Sequence, residues 1–433
     1  MQFGTEHLNP ALSDPALGVM NFLNQVAMQF PQAISLAPGR PPEEHFAIGA
    51  TLRYIERFVH EGDLTQLHKA EQHGINSLGQ YGRTNGVIGG LIARLLQRDE
   101  GILASGNDIV VTIGAQEAMC LCLLTLCGTP GDVALTVDPA YIGMAGAAKL
   151  LGIDIVGVPC SDTGIDLHAL DKIVQDLARL GRRARVLYLC SDHANPTGLT
   201  LSVSERRRLL QAAQDLDLLL IEDGAYSYFC YDTQPLPPLK SLEGGERVIY
   251  IGSFAKTVFP GLRMGYAVAG QRVAGAAGES TSLADEMSKA KSLLSVNTPA
   301  LMQAVVGGLL LAEDCSLRDY VQPRVRAIHA SRDAMLAALD KYTPRRADGS
   351  RPITWTRPSG GFFLTVTMPR PIGNAELLDC AERYGVIWTP MSYFLLDQSP
   401  SPQLRLSFSY VTPDEATQGI RRLAAWMQHF IDI

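Results

Sequence analysis

From about residue 108 the chain alternates short, β-rich apolar runs with longer amphipathic stretches, and this alternation narrows the possible folds more than any other feature. The runs are DIVVTIG (108–114), VALTVD (133–138), DIVGVPC (154–160), RVLYLCS (185–191), LLLIED (218–223) and VIYIGS (248–253), with RMGYAVAG (263–270) as a further strand. Between them lie helix-patterned segments such as AQEAMCLCLLTLC and SVSERRRLLQAAQDL. Strands that are apolar on both faces need helices on both sides. The pattern therefore predicts an α/β fold with a mostly parallel central sheet covered by helices.

The rhythm changes after that region. A long helical stretch is expected over roughly 272–342. An α+β unit follows: strands in ITWT and GFFLTVT, a helix near 374–384, then VIWTP, QLRLSFS and a terminal helix from Pro413. PRRADGSRP (344–352) reads as an exposed loop. Before residue 45 stand one helix-like stretch and the extended segment SLAPGRPP. The 433 residues suit a large domain plus a smaller one. The expected division is 1–45 as an N-terminal segment serving the small domain and the site, 46–315 as the large domain, and 316–433 as the small C-terminal domain.

A net charge of −7 argues against nucleic acid or an acidic membrane as partner. No apolar run reaches the length that spans a bilayer, and no signal-peptide pattern opens the chain. The eight Cys form no C-x-x-C pair and the nine His no H-E-x-x-H, so no metal is expected. A reduced, cytoplasmic setting fits this cysteine usage.

Ligands of parallel α/β sheets gather at the carboxyl ends of strands, and several of these ends carry polar residues. VIYIGSFAKTVFPGLRMGY delivers Ser253, Lys256 and Arg263 to one loop. A Lys there, beside Phe254 and Ala255, can be desolvated into a nucleophilic amine, while Arg263 and Ser253 suit phosphate oxygens. Alone, the same residues describe a surface Lys and a salt-bridging Arg equally well. The chain has only eight Lys, and the other seven sit in polar or helical contexts. Asp223 ends LLLIED, with Tyr226 three residues on; a carboxylate there can pair with a protonated ring nitrogen, or merely cap a turn. SDHANPTG presents Asn195 on a turn whose Asn-Pro bond can be cis, and TIGAQEAM opens a helix at Ala115-Gln116, where backbone N–H groups bind phosphate. Tyr141 in DPAYIG could stack on a planar ring. Arg405, in the alternating strand QLRLSFS, is costly if inward unless it meets an anion such as a substrate carboxylate.

The ordered set Y-G, G-A-Q, D-P-A-Y, N-P-T-G, D-G-A-Y, S-F-A-K and P-G-L-R-x-G, closed by L-R-L-S-F-S, resembles the fold-type I, aspartate-aminotransferase-like enzymes dependent on pyridoxal 5′-phosphate (PLP), over nearly the whole chain. ISLAPGRPP, DPAY and IED-x-x-Y look most like the aminoadipate, kynurenine and aromatic aminotransferase branch. The resemblance implies a Schiff base between PLP and Lys256, which then shuttles the substrate proton, and a large domain (46–315) that binds PLP. It implies Asp223 on the pyridine nitrogen, Asn195 and Tyr226 on the ring 3-oxygen, and Tyr141 against the ring face. Ala115, Gln116, Ser253 and Arg263 would hold the phosphate, with Tyr81 reaching one across a homodimer interface. Arg405 would clamp the substrate carboxylate, with Asn195 beside it and Gly39 lining the site. The implied partners are an amino acid and a 2-oxo acid.

Departures from the family pattern leave the donor open. Ala255 stands where a serine often precedes the Lys, Gly224-Ala225 where the branch often has Asp-Pro, and His193 is unusual before Asn195, where a turn cap is the favoured role. They would suit a specialised donor such as an aryl-glycine or a modified arginine, and among ordinary donors an aromatic amino acid is preferred. Arg40 could instead pair with the distal carboxylate of an aminoadipate-like substrate, or be solvated. A lyase, decarboxylase or oxidase on the same scaffold would use the same residues. A PLP-binding regulator usually carries a basic helix-turn-helix domain, which the short N-terminal stretch does not match. Nor does any G-x-G-x-x-G open a helix after a strand, as a dinucleotide site requires.

Overall fold

A computed structural model describes residues 4–67, 73–162, 164–275, 278–346 and 348–432. The strands in chain order are β1 (Ile34–Ser35), β2 (Ile109–Thr112), β3 (Asp132–Asp138), β4 (Asp154–Ser161), β5 (Gly164–Ile165), β6 (Arg183–Leu189), β7 (Leu219–Asp223) and β8 (Val248–Ser253). They continue with β9 (Gly265–Val268), β10 (Arg272–Ala274), β11 (Ser280–Ser282), β12 (Thr354–Trp355), β13 (Phe363–Ile372), β14 (Val386–Ile387), β15 (Thr389–Pro390) and β16 (Ser401–Ser407).

Eight strands form the central sheet in the order β2-β9-β8-β7-β6-β3-β4-β5. Pairs β3/β4, β3/β6, β6/β7 and β7/β8 are parallel. Only β9 runs against its long neighbours, being antiparallel to both β2 and β8, and the short β5 folds back on β4. All four residues of β2 and the first five of β8 are buried, as two-sided coverage requires. The expected α/β architecture is therefore present, and the seven anticipated strands all occur.

The covering helices carry their own start signals. Ser202 and Glu205 form a capping box for the helix Val203–Asp215, and Asp166 accepts from Ala169 N–H to start Leu167–Arg179. The stretch from 272 is not helical throughout. It opens with the antiparallel pair β10/β11, and its helices are Leu283–Leu294, Ala300–Ala312 and Arg318–Tyr342. Pro299 caps the second of these, and residues Asp314 and Cys315, both at positive φ, break the third away.

The C-terminal unit is a four-stranded antiparallel sheet, β12-β13-β16-β15, backed by the helices Asn374–Tyr384 and Pro413–Asp432. The N-terminal segment is stitched to it: β1 pairs in parallel with β14, and Ser407 N–H donates to the Leu36 carbonyl. This pairing carries SLAPGRPP from the small sheet to the carboxyl ends of the central strands. No described helix is long and apolar enough to cross a membrane.

Candidate active site

The strands β2, β3, β6, β7 and β8 all point their carboxyl ends the same way, and the residues just beyond them line one cavity of about 500 Å³. Ala115, Gln116, Tyr141, Asn195, Asp223, Tyr226, Ser253, Lys256 and Arg263 reach it from the central sheet. Arg405 comes from β16 and Gly39 from the N-terminal segment, so the cavity lies where three parts of the chain meet. Eleven of the twelve residues singled out in the sequence thus share one space. The twelfth, Tyr81, does not line it and is 75% exposed.

Lys256 sits in a single helical turn after β8, its Nζ 2.6 Å from the Gly39 carbonyl oxygen. Burial, with Arg405 and Arg263 nearby, pulls its ammonium down to about 8, against the opposing pull of Asp223. A Cβ on Gly39 would fall 2.3 Å from Cζ of Phe363, so only glycine lets this backbone reach the amine. Asp223, 7% exposed, ends β7; its Oδ1 accepts from Ala225 N–H at 3.0 Å and its Oδ2 from the Tyr188 hydroxyl at 2.7 Å. Burial raises its carboxyl, while those two donors and Lys256 oppose the rise.

Arg405 is 6% exposed, so the inward reading of its strand is the correct one. Its Nη1 donates to Asn195 Oδ1 at 2.6 Å and its Nη2 to the Ala37 carbonyl at 2.7 Å. The rings of Phe363 and Phe394 lie 4.3 and 4.7 Å from its Cζ. Burial pulls it down to about 10, its Nε has no partner, and no carboxylate pairs with it among the described residues. A buried guanidinium left without an anion is a costly arrangement that a ligand carboxylate would relieve. The bond from Arg405 also orients the Asn195 amide, leaving its nitrogen free to donate. The Asn195–Pro196 and Asp138–Pro139 bonds are both cis.

The end of the cavity lined by Ala115, Gln116, Ser253 and Arg263 is built from a tight turn. Gly114, at φ +73, precedes Ala115 and Gln116 at the start of the helix Gly114–Leu126; a Cβ on it would meet Arg263 Nη2 at 2.6 Å. The Gln116 side chain donates one amide hydrogen to the Gly143 carbonyl at 2.7 Å, which leaves its second amide hydrogen and the backbone N–H groups of the turn to meet an anion. Ser253 Oγ accepts from Ala255 N–H and keeps its own hydrogen to donate.

Three cationic side chains and one carboxylate line the cavity, a surplus that suits a ligand carrying a phosphate and a carboxylate. An amine at one wall, a carboxylate poised for a ring nitrogen, and phenol rings at the sides fit PLP in particular. His193 and Arg40 stand outside this set. His193, at φ 50 and 1% exposed, caps its turn against Thr200 and approaches Cys230 Sγ at 3.3 Å. Arg40 stacks on the Tyr410 ring at 3.9 Å.

Two residues escaped the sequence reading. Tyr188 lay inside an apolar strand run, where a phenol reads as core. Lys291 lay with six other Lys in a polar or helical context, yet it is fully buried, with Nζ 2.8 Å from Glu117 Oε2. Glu117 also accepts from Ile113 N–H, bracing the turn in front of Ala115. A Glu one residue past Gln116 was the only available signal.

Fold and cavity together define a fold-type I enzyme of the PLP-dependent kind. The family Aminotransferase class I and II matches residues 61–423, and the chain belongs to it. It is 40% identical to an (S)-3,5-dihydroxyphenylglycine transaminase of Amycolatopsis orientalis, over 98% of this chain and 94% of that one. It is 30% identical to an aromatic-amino-acid aminotransferase of Thermococcus litoralis, covering 90% and 87%. Among solved structures, a Pyrococcus horikoshii kynurenine aminotransferase superposes with a TM-score of 0.82 at 26% identity, covering 99% and 97%. The enzyme is an aminotransferase, in the branch the sequence motifs had indicated.

Proposed function

We propose that the enzyme moves the amino group of an aromatic or aryl-glycine L-amino acid to a 2-oxo acid, using PLP held by Lys256. The observation that carries the donor class is the neutrality of the cavity beyond its four charged residues. Leu23, Asn24 and Ala27 of the helix Pro15–Gln29, with Ile142, Phe363 and Phe394, offer apolar and uncharged polar surface. Arg40, the residue that could have met a distal carboxylate, is held on Tyr410 instead. The dihydroxyphenylglycine and aromatic amino acid relatives agree with this class.

PLP, when bound, supplies an electron-withdrawing ring that stabilises negative charge at the substrate Cα. The Asp223 carboxylate accepts the ring N–H, and Asn195 and Tyr226 donate to the ring oxygen. Arg405 binds the α-carboxylate through its fork, Tyr141 shields the ring face, and Ala115, Gln116, Ser253 and Arg263 bind phosphate. The Lys256 amine, once free, takes and returns the Cα proton; its depressed basicity keeps an unprotonated fraction near neutral pH. Three further readings go with this one. Residues 1–45, 46–315 and 316–433 form the segment and two domains described above. The unit is a cytoplasmic homodimer, in which the exposed Tyr81 serves the partner's phosphate. The β1–β14 pairing supports the first, and the exposure of Tyr81 the second.

The test is a panel of amino donors, followed by loss of visible cofactor absorbance and by product analysis with and without a 2-oxo acid. Aromatic donors should bleach the cofactor fastest, and turnover should require the acceptor. Preference for an acidic donor would overturn the donor class; turnover without acceptor would favour a lyase, decarboxylase or oxidase. Transamination by Lys256→Ala at the wild-type rate would overturn the role of Lys256.

A further inference from the structure

Asp223 does not stand alone beneath the cavity. In the parallel pair β6/β7, Tyr188 lies opposite Ile221, and Asp223 is two residues beyond Ile221 on the same face. The long Tyr188 side chain therefore runs along the sheet toward the carboxyl end, where its hydroxyl meets Asp223 Oδ2 at 2.7 Å. Tyr188 is 1% exposed, is the one phenol in an otherwise apolar stretch of β6, and lines the cavity with Asp223.

We propose that Tyr188 is a positioning residue, whose hydroxyl fixes the rotation and the charge of the Asp223 carboxylate so that it can receive the protonated ring nitrogen of the cofactor. The inference rests on the PLP reading of the cavity. An Asp side chain turns freely about its last torsion unless both oxygens are held. Here Ala225 N–H holds Oδ1 and Tyr188 holds Oδ2, each oxygen keeping a further lone pair. Burial keeps the Tyr188 phenol protonated, far above its ordinary value, so it is a permanent donor. A permanent donor favours the ionised carboxylate over the acid that burial would otherwise promote. An acid in that place would be a weaker, uncharged acceptor and could not balance the positive charge of a protonated ring.

The experiment compares two cofactors on the apo forms of the full-length protein: PLP, and its 1-deaza analogue, in which carbon replaces the ring nitrogen. Dissociation constants are read by equilibrium dialysis for wild type, Tyr188→Phe, Asp223→Asn and the double variant. Loss of one hydrogen bond to a charged group predicts about tenfold weaker PLP binding by Tyr188→Phe. The deaza analogue should change by less than about twofold, because it has no N–H for Asp223 to receive. In the Asp223→Asn background the Tyr188→Phe change should have no further effect on PLP. Unchanged PLP affinity in Tyr188→Phe, equal loss for both cofactors, or an additive loss in the double variant would each overturn the proposal. If Tyr188→Phe fails to fold, a wild-type protein that binds both cofactors equally overturns it, since no carboxylate contact then remains to be positioned. Failure of wild type to bind PLP at all would instead remove the cofactor reading itself.

Discussion

Replacing Arg405 by Lys separates charge from geometry at the proposed carboxylate clamp. The guanidinium is held in place by Asn195 Oδ1 at 2.6 Å, the Ala37 carbonyl at 2.7 Å and the flanking rings of Phe363 and Phe394. Its fork can offer a substrate carboxylate two parallel charge-assisted bonds, each worth about 1.5–3 kcal/mol. Lys keeps the charge and one bond but has no fork, and it cannot hold Asn195 and Ala37 at the same time. The loss is therefore about one such bond, roughly 2 kcal/mol, or about 30-fold in kcat/KM. Single-turnover kinetics with an aromatic amino acid, set beside the corresponding amine lacking the α-carboxylate, would measure it. The amino acid should lose about 30-fold and the amine almost nothing. Equal losses for both would refute the clamp and assign Arg405 to holding the pocket's shape; an unchanged kcat/KM for the amino acid would refute any carboxylate contact.

Capture of PLP by the apoenzyme needs the unprotonated Lys256 amine, so its rate should rise with pH and level off above about 8; a rate that stays flat through that region in stopped-flow absorbance would remove the amine from the capture step. A second pH effect concerns Glu100, which accepts from the Tyr250 and Ser227 hydroxyls and which burial pushes up to about 7. For an acid raised in the folded state, the stabilising contribution is full below its unfolded pKa and is lost as pH rises through the folded value. Glu100→Gln should therefore melt higher than wild type at about pH 8 and lose that advantage by about pH 5; an advantage that grows on acidification would show that the carboxylate is the preferred form there.

Much of the site was legible because its chemistry sits in short loops after strands, where residue type and order survive without knowledge of packing. Lys256, Asp223 and Asn195 drew attention in this way, although each turn alone also had an ordinary structural reading and only their combined order resembled a PLP site. Tyr188 and Lys291 were not, because their partners lie 35 and 174 residues away and only packing brings them together. Arg405 was ambiguous for the same reason. Its alternating strand did not say which face was inward, and β16 is buried on both faces at this point.

The sequence by itself determined the chemistry. A strand-helix alternation points to a parallel sheet, such a sheet gathers its ligands at one edge, and the order of motifs at that edge resembles that of the PLP-dependent aminotransferases. Tertiary structure alone decided how those residues are held and what they exclude. It turned Arg405 inward between two rings, anchored the Gln116 amide on the Gly143 carbonyl, and laid Arg40 on Tyr410 away from the cavity. The physical reason is range. A turn or a cap is settled by neighbours along the chain, whereas a side chain's direction and charge state are settled by groups that meet only after the small sheet and the N-terminal segment have closed over the strand ends.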